Sequence, residues 1–265
     1  MVELSQKANL LINKAKNIFY QNLNVNFNNI EKERFYSIQF SNIKKYNILT
    51  YNFFNPFYEK IINKIKENKN TVILNKIADI NKGNEIGSNN YITYLDKNHN
   101  DIPFIRTSDF FNYEVDIFPD YYISKSIYDN VNQDLMPGDI LFTKDGKIGE
   151  TALITKNDNV MISSGIAKLR LNEFGYSIGL SNEYLFLVLS IKEIGLYSAI
   201  KYTTIATTIP HLKPEDIGLF EIPILENQYI KEITNIIKES FSYKNEKKKL
   251  LKVIRDNIDN KFNFI

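Results

Sequence analysis

The sequence predicts a mixed α/β protein, with a sheet domain carried between long helices. Three observations predict it. Apolar residues near the N-terminus recur at the spacing of a narrow helix seam, residues 71–223 alternate short apolar runs with turn residues, and the last forty residues return to a heptad-like pattern. With 265 residues, 43% of them hydrophobic, the chain can bury one substantial core.

Taken in order, Leu4, Ala8, Leu11, Ala15 and Ile18 step by four and three, which predicts a helix to about Leu23 that needs a partner helix. Residues 24–51 are polar and Asn-rich around aromatic residues, without a period, and read as a connector. After Asn55-Pro56, Phe57, Ile61, Ile62 and Ile65 predict a helix to about Glu67, Pro suiting its first turn. Strands are expected at Thr71 to Leu74, Ile102 to Arg106, Asp139 to Thr143, Thr151 to Ile154 and Ile166 to Leu171. Asp145-Gly146, between two of these runs, reads as a hairpin turn. A helix is expected at Asn182 to Leu196, with Ser181 as its N-cap. Pro210 and Pro214 bracket a turn, and Ile217 to Ile224 is extended. From Glu226 to about Lys261 a long helix carries Ile230, Ile233, Ile237, Leu251, Ile254 and Ile258 on a seam. Its middle, Lys244 to Lys249, is strongly charged and interrupts the seam.

The composition excludes several kinds of chemistry. Without Cys there are no disulfides, thiolate metal sites or Cys nucleophiles, and His99 and His211 alone cannot assemble a His-rich metal site. Asn55-Pro56-Phe57-Tyr58 approaches the target-amine loop of amino-methyltransferases but lacks its second Pro, and no Gly-rich turn for a methyl donor precedes it. Pro119-Asp120 with Asp145-Gly146-Lys147 meets only the loosest acidic-plus-Lys nuclease pattern. Ser163 and Ser164 have no hydrolase arrangement around them. No catalytic or metal-binding residue is therefore expected. The absence of a long apolar run or a signal-like N-terminus points to the cytoplasm, without membrane contact.

With 33 basic and 31 acidic residues, any affinity for a polyanion must be local. Polar and basic residues gather at expected loop tips: Lys82, Arg106 and Thr107, Lys144 and Lys147, Ser163 and Ser164, Lys201, Thr203, Thr204, Thr207 and Thr208. Lys and Arg suit phosphates or guanine edges, and Ser and Thr can bond to either. Lys82, Lys144, Lys147 and Lys201 are the expected phosphate contacts, and Ser163, Thr203, Thr204, Thr207 and Thr208 the expected groove contacts. Asp109 and Asp139 are expected to brace loops.

Five passages in order carry a resemblance: Ile102-Pro-Phe-Ile-Arg-Thr-Ser-Asp109; Leu135-Met-Pro-Gly-Asp-Ile-Leu-Phe-Thr-Lys144 with Gly146 to Gly149; Met161-Ile-Ser-Ser-Gly165; Thr208-Ile-Pro-His-Leu-Lys213; and Glu221-Ile-Pro-Ile-Leu-Glu-Asn-Gln-Tyr-Ile230. Together they resemble the target-recognition domain of type I restriction-modification specificity subunits, over roughly Tyr51 to Ile258. The resemblance implies a spacer helix over 1–23, a DNA-binding target-recognition domain over 24–225 and a conserved helix over 226–265, the helices forming an antiparallel coiled-coil spacer. It also implies a non-catalytic subunit that binds double-stranded DNA and docks adenine methyltransferase (modification) subunits and a restriction/translocase subunit. S-adenosylmethionine, ATP and Mg²⁺ would belong to those partners, with no cofactor on this chain. Whole members carry two such domains, each reading half of a bipartite site. A chain with one domain implies self-association, a second half-subunit or a longer protein. Two alternatives remain open from the sequence: the specificity portion of a single-chain type II methyltransferase-nuclease, and a coiled-coil protein-interaction module.

Overall fold

The computed structural model describes residues 1–46, 48–206 and 209–262. Four helices come first: α1 (Val2–Leu23), α2 (Phe40–Tyr46), α3 (Tyr51–Phe54) and α4 (Pro56–Asn68). Then follow β1 (Thr71–Ile73), α5 (Leu74–Ile77), β2 (Ala78–Lys82), β3 (Ile92–Thr93), β4 (Ile102–Ile105), β5 (Phe110–Phe111), β6 (Glu114–Val115), β7 (Tyr121–Ile123) and α6 (Lys125–Val131). The second half holds β8 (Ile140–Thr143), β9 (Thr151–Leu153), β10 (Met161–Ile162), β11 (Ile166–Leu171), α7 (Glu173–Ser177), α8 (Asn182–Leu189) and α9 (Tyr197–Tyr202). It ends with β12 (Thr204–Ala206), β13 (Ile209–His211), α10 (Pro214–Ile217), β14 (Glu221–Pro223) and the 36-residue α11 (Asn227–Phe262).

The central sheet, in the order β2-β11-β8-β9, is antiparallel throughout. β8 is buried at every position and β11 at all but Arg170. β8 shows the near-continuous apolar run of a strand covered on both faces, whereas Lys168 and Arg170 alternate with apolar residues in β11. A second sheet, β10-β4-β7-β3, is mixed, with β10 parallel to β4. β1 pairs with β14, which brings the end of α4 beside the start of α11.

Local chemistry explains the helix starts. The Asn55 side chain accepts from the Phe57 N–H ahead of α4, with Pro56 in the first turn, and Ser181 Oγ accepts from the Tyr184 N–H ahead of α8. The helix expected over Asn182–Leu196 breaks after Leu189. The Lys192–Leu196 segment winds more widely, and Gly195 sits where a Cβ would lie 1.8 Å from the Leu189 carbonyl oxygen. Every residue of α8 from Tyr184 to Leu189 is buried, among β9, β11, β14, α1 and α11.

α1 and α11 run antiparallel. Ser240 Oγ donates to the Ala8 carbonyl at 2.8 Å, and Ser5 lies beside Lys247, Lys248 and Leu251. Ala8, Ile12, Ala15, Phe19 and Leu23 are buried, as are Ile230, Ile233, Ile237 and Phe241. The second half of α11 differs from the expected seam, since Ile254 and Ile258 are 43% and 42% exposed. The charged middle of α11 packs inward. Lys244 and Lys248 are buried, and Lys244, Lys247 and Lys248 gather on Glu114 of the β5–β6 hairpin, with Lys248 also on Asp158. The lysines turn inward because the protein itself supplies their carboxylates. No described helix is long and apolar enough to cross a membrane.

Candidate nucleic-acid interface

The ends of β2, β4, β8 and β10, the start of β11 and the β12–β13 hairpin meet at one pole. Backbone hydrogen bonds tie their loops in series. The Gly83 N–H donates to Ile166 O at 2.9 Å, Asn84 N to Ile162 O at 3.1 Å, and Ser163 N to Ile105 O at 2.9 Å. Lys144 N donates to Gly165 O at 2.9 Å, Gly146 N to Pro210 O at 3.0 Å, and Leu212 N to Lys144 O at 2.9 Å. Gly83 permits the closest approach, because a Cβ there would lie 2.3 Å from the Ser163 carbonyl oxygen. The result is a rim of polar loop tips tied together through their main chains, leaving side chains to face a ligand.

Carboxylates brace the loops, Asp109 at the rim and Asp139 at the far end of β8. Asp109 Oδ2 accepts from the Arg106 N–H at 2.8 Å, and Asp139 Oδ2 from the Met136 N–H at 2.7 Å. Asp139 also holds Arg170 at 2.7 Å, an interaction that raises the guanidinium further above its ordinary range. Asp145 takes Lys144 Nζ at 2.8 Å on one oxygen and the His211 ring on the other, which joins the β8–β9 loop to the β12–β13 hairpin. Gln133 serves the same end, donating to Asn84 Oδ1 at 2.6 Å and accepting from the Ile162 N–H at 2.8 Å. These bracing roles of Gln133, Asp145 and His211 depend on contacts more than 25 residues apart in sequence, and no local pattern announces them.

The expected contact residues divide into two groups. Lys82 and Lys147 are exposed; Lys147 carries only a surface pair with Glu150 at 3.4 Å, which is easily exchanged for a phosphate. Thr107, Ser163, Ser164 and Thr204 are half-buried on the rim, Thr204 donating to His211 O at 3.2 Å. Arg106 stacks over the Tyr121 ring at 4.2 Å and leans between Asp109 and Asp120, at 3.7 and 3.4 Å.

Three expectations need correction. Lys144 has a side chain only 4% exposed and spends its charge on Asp145. Lys201 lies in α9 and not in a loop, its side chain 8% exposed and its ammonium paired with Glu59. Thr203 is buried, with its hydroxyl donating to Ala199 O at 2.7 Å. A buried, neutralised cation or a satisfied hydroxyl is not free to meet DNA. Thr207 and Thr208 lie outside the described residues. Lys213, exposed just beyond β13 and without an ion pair among the described residues, joins Lys82 and Lys147 as a cation that sequence reading passed over. No metal-binding cluster of acidic or His residues occurs among the described residues.

None of the curated proteins matches the chain. Among solved structures it is similar to the HsdS subunit from Thermoanaerobacter tengcongensis, at 21% identity over 71% of this chain and 44% of that one, with a TM-score of 0.41. It is also similar to the type I restriction-modification S subunit from M. genitalium, at 12% identity over 97% of this chain and 56% of that one, TM-score 0.45. A third is the type IIG restriction endonuclease BpuSI, at 11% identity over 72% of this chain and 28% of that one, TM-score 0.49. The chain thus spans about half the length of the two subunits it matches. The model of the type I restriction modification DNA specificity domain matches residues 66–255. With well over half its length so matched, the chain belongs to the family of type I restriction-modification DNA specificity domains.

Proposed function

We propose that this chain reads one half of a bipartite DNA site for a type I restriction-modification system and catalyses nothing itself. The observation that carries the reading is the rim, where the ends of β2, β4, β8 and β10, the start of β11 and the β12–β13 hairpin are tied together by backbone hydrogen bonds, with Lys82, Lys147, Lys213, Arg106, Thr107, Ser163 and Ser164 exposed or half-exposed. The exposed lysines sit on phosphates and fix register, while Arg106 and the hydroxyls test base edges. Residues 24–225 act as the recognition domain, and the helices over 1–23 and 226–265 as the spacer. Adenine methyltransferase and restriction/translocase subunits dock on the assembly in the cytoplasm and bring S-adenosylmethionine, ATP and Mg²⁺ with them.

Self-association or pairing with a second half-subunit has its own support. α11 exposes Leu250, Val253, Ile254 and Ile258, which share one face of the helix by their spacing and are unpacked among the described residues. Co-expression with a modification subunit, followed by single-base mapping of adenine methylation on plasmid DNA, tests the function. A discrete motif is expected, and a palindromic one if two copies work together. An intact complex that methylates at no defined sequence contradicts the reading.

A further inference from the structure

The β5–β6 hairpin is small, yet it touches both long helices. Its two turn residues, Asn112 and Tyr113, have φ of 52° and 67°, the left-handed pair that a two-residue type I′ turn requires. Asn suits that conformation and Tyr does not, so packing must hold Tyr113 there. Its hydroxyl accepts from Lys16 Nζ of α1 at 2.8 Å, and its ring stands perpendicular to Phe186 of α8. The Asn112 carbonyl accepts from Lys244 Nζ of α11 at 2.7 Å. Behind the turn, the buried Glu114 carboxylate receives Lys244 at 3.2 Å, Lys247 at 2.5 Å and Lys248 at 3.5 Å.

The other end of the hairpin belongs to the rim. The Asp116 N–H donates to the Asp109 carbonyl at 2.8 Å, and the Asp109 carboxylate holds the Arg106 backbone. One short ribbon therefore links the Arg106–Thr107 loop to the helix pair. Further attachments of this part of α11 include Lys248 to Asp158 at 2.6 Å, Lys252 to the Asn157 carbonyl at 2.9 Å, Arg255 stacked on Tyr94 at 4.1 Å, and Asn245 accepting from the Thr155 hydroxyl at 2.7 Å. Residues 244, 248, 252 and 255 share one helix face by their spacing. An apolar seam lets a helix slide or roll at modest cost, whereas three ammonium groups on one buried carboxylate tolerate little displacement before a charge is left unpaired.

We propose that the β5–β6 hairpin is the joint that sets the angle between the recognition loops and the spacer helices, with Glu114 as its positioning residue. The gap between half-sites then depends on this joint as well as on helix length. This rests on the DNA-recognition reading and adds a specificity determinant remote from any base. Buried ion clusters of this kind contribute direction more than stability, since apolar groups of equal volume would stabilise the contact as well.

Methylation mapping of the complex, comparing wild type with Glu114→Gln, Glu114→Asp and Lys247→Met, tests it. Glu114→Gln and Lys247→Met are expected to raise methylation at sites whose gap is one base pair longer or shorter by about tenfold relative to the wild-type gap, a shift worth roughly 1.4 kcal/mol. The half-site sequences stay the same, and Glu114→Asp keeps the wild-type gap. Lys247 is 14% exposed and leaves two lysines on Glu114, so Lys247→Met preserves the fold if Glu114→Gln does not. Unchanged gap selectivity in Lys247→Met and in any folded Glu114→Gln complex overturns the joint while the recognition reading stands. Altered half-site sequences with an unchanged gap overturn it too. A wild-type complex with no discrete motif removes the recognition reading, and the joint with it.

Discussion

At the scale of single residues, exposure separates cations that can meet DNA from cations that hold the protein together. Lys82→Ala and Lys147→Ala are expected to weaken binding to all duplexes alike and to lower the slope of log affinity against log salt by about one each. Lys144→Ala leaves Asp145 half-buried with one partner fewer, so it is expected to lower the urea midpoint and leave the salt slope unchanged. Salt titrations of the three variants distinguish these roles. Lys244 offers a titration of its own. Burial pushes its ammonium down to about 8 from an ordinary 10.5, outweighing the pull of Glu114. Between those values the unfolded chain binds a proton that the native protein has lost, so stability rises with pH across the window. Urea midpoints at pH 7.5 and 9.5 are expected to move in favour of wild type relative to Lys244→Met; a constant difference between the two contradicts the shift. The exposure of Lys82 and Lys147 was legible in the sequence, although Lys82 ends β2, a strand the apolar runs did not announce. Lys201 was misread because its partner Glu59 is 142 residues away, and Lys144 because tertiary packing buries it on its own neighbour Asp145.

At the scale of elements, sequence patterns were read most accurately where one force dominates. Ile166–Leu171 is a strand with the bounds its apolar run announces, and Asp145-Gly146 turns between β8 and β9, with Gly146 at φ 66°. The first half of α11 follows its seam spacing, whereas α1 keeps the four-and-three step but buries Ile12 and Phe19 and leaves the expected Leu4, Leu11 and Ile18 half-buried. The inward packing of the charged middle of α11 was not legible, because Glu114 lies 130 residues from Lys244. The α1–α11 contact yields a plain test. Ala8 is fully buried where Ser240 bonds to its carbonyl, so the helices meet closely there. Ala8→Leu is expected to force them apart and lower stability by about 1–3 kcal/mol in urea unfolding. A neutral result would mean that the pair is looser than these contacts imply.

At the scale of the whole molecule, a rim of loops lies at one pole and a 36-residue helix extends from the sheet domain, about 54 Å long and so longer than one turn of duplex DNA at about 34 Å. Loops that carry variable side chains on a braced scaffold can change the sequence read without disturbing the spacer. The most direct measurement is the adenine-methylation motif directed by rim variants of the co-expressed complex, with Arg106→Ala, Thr107→Ala and Ser163→Ala mapped beside wild type. The expected result is a motif that relaxes at individual bases of a half-site while the gap stays fixed. A motif identical to wild type in all three variants, from complexes that still methylate DNA, would contradict the assignment of this rim as the surface that reads DNA.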